Sequence, residues 1–302
     1  MRRMVSTEEL VKKYKEKWKV SNDDIRIKRF EEKLPEFLGE FNVEALEVIL
    51  CLLDKFDYYS HMEINTCLVE LHEKVVDVDG FDEEKTIFCV LKTMSGKINS
   101  STEYVCEYWR LNGINTYSVI TNIDDLDKEA WDFIDTIVFI DDCCGSGKTF
   151  TGFIKSHLQI LKEKKIVYAV VHIMKDAILK IKQFESDYKM NISVVYCRNT
   201  EKAFSEKSLI GKKTIFQEAS KNVGVVNEND DIFGYKKTEM LIAYYNNTPN
   251  NTLGVFRKDT VRNKSIFPRR NEKKPGWLAN MQKSKKQRKT ANYCRKVKDI
   301  CG

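Results

Sequence analysis

The sequence predicts an α/β protein: a mainly parallel sheet with helices on both faces, preceded by a helical N-terminal cap and followed by a basic C-terminal tail. Three features predict it. Short apolar runs alternate with amphipathic stretches from Lys85 to about Thr200. One of these runs ends in two carboxylates and a glycine-rich turn, and basic charge is concentrated after Arg257. Strands that are apolar on both faces and separated by helices belong to a parallel sheet buried between helical layers. The expected division is residues 1–80 as cap, 85–256 as the α/β domain and 257–302 as the extension.

In chain order, Thr7 to Trp18 is charge-rich with sparse apolar positions, and Val43 to Phe56 has the dense apolar face of a buried helix. Ser60-His-Met-Glu63 reads as a capping box opening a helix through Ile64, Leu68, Leu71 and Val75, which Gly80 ends. Strands are expected at Thr86–Leu91, Thr116–Thr121, Asp135–Ile140, Ile166–Ile173 and Ile192–Tyr196. Helices are expected at about Thr102–Leu111, from Gly147 to about Lys165, and at Asp176–Asp187. Glu239 to Tyr245 fits a strand or a helix, and Asn246 to Thr252 is a loop of turn-forming residues.

Composition excludes several classes. No apolar run approaches the roughly 20 residues of a membrane helix, and the N-terminus lacks the apolar core of a signal peptide. A cytoplasmic protein with no membrane partner is therefore expected. The nine cysteines contain no C-x-x-C pair, and His61, His72, His157 and His172 form no ligand-spaced set with them, which argues against a structural zinc site. From Arg257 onward there are sixteen Lys/Arg against three Asp/Glu, a net of +13, so the preceding 256 residues carry −7. The basic character belongs to the tail.

Function is concentrated between Thr136 and Thr151. Ile137, Val138, Phe139 and Ile140 form a buried strand, with Asp141 and Asp142 at its carboxyl end. Gly145-Ser146-Gly147-Lys148-Thr149 then supplies a tight turn whose amides can face an anion, at the start of a helix whose dipole favours negative charge. An anionic end beside a polyhydroxylated middle suits a sugar phosphate. Two other readings of the same residues stand beside this one. Gly147-Lys148-Thr149 could close a nucleotide-triphosphate loop, although such a loop needs glycine where Asp142 stands. The segment could also be an acidic turn and capped helix that bind nothing.

An apolar run, Asp141-Asp142, two residues, then Gly145-Ser146-Gly147-Lys148-Thr149 resembles the phosphoribosyl pyrophosphate (PRPP) motif of type I phosphoribosyltransferases. The resemblance covers about Lys85 to Thr200. It implies that Asp141 and Asp142 contact the ribose hydroxyls and Mg²⁺ as catalytic and metal-binding residues, while Cys144 to Thr149 hold the phosphate. It also implies a pyrophosphate loop after the first core strand, where Lys92, Ser95, Gly96 and Lys97 would supply charge, hydroxyl and amide. Cys143, Cys144 and Gly145 depart from the usual pattern.

The helical N-terminal region, Glu201–Ser205 and Asn247–Thr252 are similar to phosphoribosyltransferase-like domains of bacterial conflict and phage-defence systems, some encoded beside retrons. That resemblance implies an anti-phage effector acting on a nucleotide or nucleic acid. Asn247, Thr248, Asn250 and Asn251 are candidate acceptor-site residues. Lys283–Lys289 and Arg295–Lys298, with Trp277 and Tyr293 to stack, are candidates for RNA or DNA contact, or for docking a partner protein of a defence system. The expected activity is PRPP- and Mg²⁺-dependent transfer or cleavage of the phosphoribosyl group. The alternatives are a non-catalytic PRPP or nucleotide sensor and a degenerate P-loop NTPase.

Overall fold

The computed structural model describes residues 6–91, 100–227 and 231–270, and its first three helices each start at a side chain able to cap them. Ser6 caps α1 (Thr7–Trp18) in a reciprocal box with Glu9, Asp24 caps α2 (Ile25–Gly39), and Asn42 caps α3 (Val43–Lys55). A three-residue strand β1 (Asp57–Tyr59) follows. Next comes α4 (His61–Val76), where the Ser60 hydroxyl accepts from the Glu63 amide at 3.2 Å. The Glu63 carboxylate pairs instead with Arg198, so only half of the expected box forms.

The α/β core runs through β2 (Thr86–Val90), α5 (Ser100–Leu111), β3 (Val119–Ile120), α6 (Lys128–Phe133), β4 (Thr136–Cys144), α7 (Lys148–Ser156), α8 (Leu158–Leu161), β5 (Lys165–Met174), α9 (Lys175–Tyr188) and β6 (Asn191–Thr200). All four strand pairings are parallel, in the order β3-β2-β4-β5-β6. Phe88 of β2 packs on His72 of α4 and Tyr108 of α5, whereas Phe139 of β4 packs on Phe150 and Phe153 of α7. Val138, not Phe139, is the register partner of Phe88. The two phenylalanines therefore point to opposite faces, and helices cover both. The fold class expected from the alternating runs is the one observed.

Two elements differ from expectation for local reasons. Asn115 accepts from the Tyr117 amide and winds Thr116–Ser118 into a 3-10 turn, which leaves only Val119 and Ile120 as strand. The helix after Gly147 breaks at His157, whose backbone is not helical and whose Nδ1 lies 2.9 Å from the Phe153 carbonyl oxygen. A side chain on that oxygen competes with the next helical amide.

After β6 come α10 (Lys207–Ile210), α11 (Lys213–Asn222), β7 (Ile242–Tyr244) and α12 (Gly254–Arg257). Tyr244 closes β7, which pairs in parallel with β1 in a separate two-stranded sheet. Composition places residues 1–80 together as a cap, but their side chains divide between two cores. The helix α4 packs on the large sheet through Ile64, Leu68, Leu71 and Val75. The helices α1, α2 and α3 share a second core with residues 203–267. At its centre Phe267 stacks on Phe30, Phe56 and Tyr58, with ring centroids 5.2–5.4 Å apart, and meets Trp18 edge-on. Residues 257–269 are thus held in the second core, while the Lys283–Lys298 stretch and Trp277 and Tyr293 lie outside the described residues. No helix among the described residues is long and apolar enough to cross a membrane.

Chain order and strand order together point to one candidate crevice. The path goes outward from β2 to β3 and then returns past β2 to β4. In open parallel sheets ligands bind outside the carboxyl ends of the strands at such a reversal. Here that is the end of β2 and β4, where Asp141 and Asp142 stand.

His172, near the end of β5, ties the short strand β1 to the large sheet. It is fully buried, with Nδ1 2.7 Å from the Tyr59 hydroxyl and Nε2 2.9 Å from the Thr200 hydroxyl. Burial, aided by the Arg198 charge, lowers its pKa to about 3. A neutral native imidazole set against an unfolded one that titrates near its ordinary value makes stability fall as pH drops from about 6.5 toward 3. We expect His172→Gln to remove that part of the acid sensitivity in denaturant midpoints measured across this range. Phe267→Ala should cost ~3–5 kcal/mol of unfolding free energy, the range for deleting a buried aromatic ring.

Candidate functional site

The end of β4 carries the residues that matter. Its pairing with β5 keeps one register from Asp141↔Val170 to Cys143↔His172 and Cys144↔Ile173, and adjacent residues of a strand point to opposite faces. The Tyr168 hydroxyl serves Asp141 and lies against Cys144, while Tyr104 and Tyr244 feel the charge of Asp142 beside Cys143. The two carboxylates are therefore not a side-by-side pair; each faces its own set of neighbours.

Their surroundings differ as well. Both are buried. Asp141 Oδ2 accepts from the Tyr168 hydroxyl at 2.7 Å, and Oδ1 accepts from the Asp142 amide at 3.0 Å, which fixes its orientation. Among the described residues no donor is hydrogen-bonded to the Asp142 carboxylate. The Asp142 carbonyl accepts from the Tyr244 hydroxyl at 2.8 Å, so β7 holds this residue by its backbone and leaves its side chain for other work.

Three residues, Gly145, Ser146 and Gly147, connect β4 to α7. Gly147 sits at φ +69°, in the left-handed region that glycine enters without steric cost, and caps the helix. Lys148 and Thr149 are exposed at the first turn, where helical amides have no intrahelical partner. Gly145 is glycine for a different reason: a Cβ there would overlap the Asn251 side chain. The result is a cleft of about 200 Å³ lined by Asp141–Phe150 together with Tyr168, Tyr235, Pro249, Asn250, Asn251 and Arg269.

The roof of this cleft comes from the second core. Asn251 is buried, and its Nδ2 donates to the Thr238 hydroxyl at 3.1 Å. Arg269 donates to the Thr248 carbonyl at 2.7 Å, which aims its guanidinium along the cleft. Tyr235 precedes Lys236, Lys237 and Glu239, all with positive φ. Such strain persists only where the surrounding structure enforces it.

Of the residues singled out from sequence, the structure brings Asp141, Asp142, Cys144, Gly145, Ser146, Gly147, Lys148, Thr149, Asn250 and Asn251 to one cleft. Asn247 and Thr248 do not line it. The Thr248 hydroxyl donates to the Phe267 carbonyl and accepts from Arg26, and the Asn247 side chain accepts from the Thr248 amide, so both shape the loop. Glu201–Ser205 lies apart, with Ala203 and Phe204 in the second core. Lys92, Ser95, Gly96 and Lys97 fall outside the described residues. Tyr168, Tyr235 and Arg269 are cleft residues that sequence reasoning missed. Tyr168 carried a signal, a hydroxyl in an otherwise apolar strand, whereas Arg269 was lost among the basic residues of the tail.

Burial disfavours the thiolate form of both cleft thiols. Burial, then the charges of Asp142 and Asp141, push Cys143 well above its ordinary pKa, and burial raises Cys144 to about 12. Among the described residues no cluster of three or more His, Cys, Asp or Glu could hold a metal by itself. Two carboxylates suit Mg²⁺ arriving with a phosphorylated ligand, since Mg²⁺ keeps waters and takes substrate oxygens beside one or two carboxylates.

Fold and cleft define a phosphoribosyltransferase-like protein. A family model described as PRTase-CE matches residues 34–269, and the chain belongs to that family. Among solved structures, a Helicobacter pylori xanthine-guanine-hypoxanthine phosphoribosyltransferase is similar at 16% identity and TM-score 0.32, over 52% of this chain and 96% of that one. The AQ2163 protein from Aquifex aeolicus is similar at 9% identity and TM-score 0.31, over 66% and 87% respectively. No curated protein matches the chain. The P-loop alternative fails on geometry as well as on family. A triphosphate loop here would run from position 142, but Cys143 and Cys144 are paired in β4, leaving a three-residue turn. Because Asn251 rests on Gly145, Gly145→Ala should displace the roof. We expect it to lower sugar-phosphate affinity at least tenfold in calorimetric titration, with a smaller effect at the open position Gly152.

Proposed function

We propose that the chain binds PRPP with Mg²⁺ in this cleft and transfers or cleaves the phosphoribosyl group. The observation that carries the reading is a buried carboxylate pair three residues from an amide-lined turn, in one roofed polar cleft at the sheet's switch point. In this reading the ligand phosphate lies in the Gly145–Thr149 turn, where amides and helix dipole favour an anion. The Asp142 carboxylate accepts from a ribose hydroxyl, and Asp141, braced by Tyr168, takes a second contact. Mg²⁺ would supply charge neutralisation for the departing pyrophosphate. When the bond from the ribose anomeric carbon to the pyrophosphate oxygen breaks, pyrophosphate leaves with the electron pair. The acceptor or water then attacks that carbon and loses a proton. The buried carboxylates would stabilise the positive charge that develops on the sugar.

A second reading, a sensor that binds PRPP or a nucleotide without consuming it, is favoured by one observation. Among the described residues lining the cleft there is no histidine and no ionised thiol, so the carboxylates are the only bases available. Pyrophosphate release separates the two readings. The resemblance of the flanks to conflict-system domains supports an anti-phage, retron-associated effector role in the cytoplasm. The eleven Lys/Arg from Arg270 onward support contact with RNA, DNA or a defence-system protein.

Calorimetric titration with PRPP and Mg²⁺ beside ATP tests the assignment. PRPP is expected to bind more tightly than ATP, and Asp142→Asn to abolish PRPP binding without loss of stability. Lys148→Ala should cost less than about tenfold, because backbone amides do most of the cradling. Tight ATP binding lost on Lys148→Ala would overturn the reading, and so would no binding of either ligand.

A further inference from the structure

Elsewhere in this fold, Arg198 pairs with Glu63, Arg257 with Asp231 and Lys213 with Glu239. Arg269 differs. It is half-buried and lines the cleft that Asp141 and Asp142 also line, yet among the described residues no carboxylate is ion-paired with it. Its Nη1 donates to the Thr248 carbonyl oxygen at 2.7 Å, a single bond from a group with several N–H donors. The side chain is nevertheless mounted on a fixed backbone. Its own amide donates to the Arg257 carbonyl at 2.8 Å, and Phe267, two residues earlier, is stacked on Phe56 and Tyr58. A charge held in a cleft with donors to spare is arranged for a partner that the fold itself does not supply.

Resting on the sugar-phosphate reading above, we infer that Arg269 binds a second anionic group of the ligand, the diphosphate on the anomeric carbon, and so selects the activated sugar over its monophosphate. The cleft already has one anion position, the Gly145–Thr149 turn, which is served by backbone amides and a helix N-terminus. Arg269 comes from the roof instead, and its charge acts on the Cys143 thiol, next to Asp142. Two anion-directed groups thus meet in one cleft, the turn from the large sheet and the guanidinium from the second core, together with the acceptor at Asp142. A ligand that satisfies all three carries a phosphate, hydroxyls and a further phosphorylated oxygen. A sugar monophosphate leaves the guanidinium unpaired. The planar fork of arginine matches two phosphate oxygens at once, which the point charge of a lysine does not. The contact adds to the loop after β2, where the family resemblance puts the pyrophosphate.

Calorimetric titration of Arg269→Gln and Arg269→Lys with PRPP and with ribose 5-phosphate, both with Mg²⁺, tests this. Arg269→Gln should weaken PRPP binding about ten- to a hundredfold, the worth of charge-assisted hydrogen bonds, and change ribose 5-phosphate binding by less than about twofold. Arg269→Lys should fall between wild type and Arg269→Gln for PRPP, because it keeps the charge and loses the fork. Ribose 5-phosphate is the control for the bond to Thr248, since a loosened roof would weaken both ligands. If Arg269→Gln fails to fold, the ratio of the two affinities in Arg269→Lys decides alone. Equal weakening of both ligands would overturn the inference, by making Arg269 a strut of the roof or a partner of the phosphate in the turn. Unchanged PRPP affinity in Arg269→Gln would overturn it too, and so would a wild-type protein that holds ribose 5-phosphate as tightly as PRPP; both results leave the sugar-phosphate reading standing. A wild-type protein that binds neither ligand would overturn that reading itself, and this inference with it.

Discussion

The bond from the Tyr244 hydroxyl to the Asp142 carbonyl, 2.8 Å long and buried, fastens β7, whose Leu241 and Ala243 lie in the second core, to the carboxyl end of the large sheet. Tyr244 ends the short β7 strand, which is paired with β1, and β1 leads directly from the aromatic cluster around Phe267. The same body carries Asn251 onto Gly145 and Arg269 toward the cleft. The roof of the site is thus set by packing between chain ends more than two hundred residues apart. A shift at Phe267 would be transmitted to the cleft through the Thr248 carbonyl, which holds Arg269, and the Thr248 hydroxyl, which is bonded to the Phe267 carbonyl.

Two buried carboxylates next to each other in sequence are expensive unless each is compensated. The chain handles them separately. Asp141 is given a phenol and an amide, so its orientation is fixed. Asp142 is held by its backbone, and among the described residues no donor is hydrogen-bonded to its carboxylate. Strand alternation makes this division possible, because adjacent residues of β4 point to opposite faces of the sheet. Cys143 and Cys144, where the family motif usually has aliphatic residues, stay un-ionised and act as small apolar packing.

The strands and the phosphate turn were legible because they are local. Ile137–Ile140 is a fully apolar run, and Gly145–Gly147 is a turn with a stated steric need. The second core was not legible, because it is built from separate stretches that reveal nothing until they meet. Asp57–Tyr59 is too short to show a strand period, and β7 alone fits strand or helix until β1 is beside it. Arg269 looked like one more charge of a basic tail, since what distinguishes it is Phe267 two residues earlier, locked among Phe30, Phe56 and Tyr58.

The most direct test of the central claim is a crystal structure with ribose 5-phosphate and Mg²⁺ bound. The account predicts the phosphate against the amides of Gly145–Thr149 and a ribose hydroxyl against Asp142, beneath Asn251. A ligand bound elsewhere, or one whose sugar points away from both carboxylates, would contradict it.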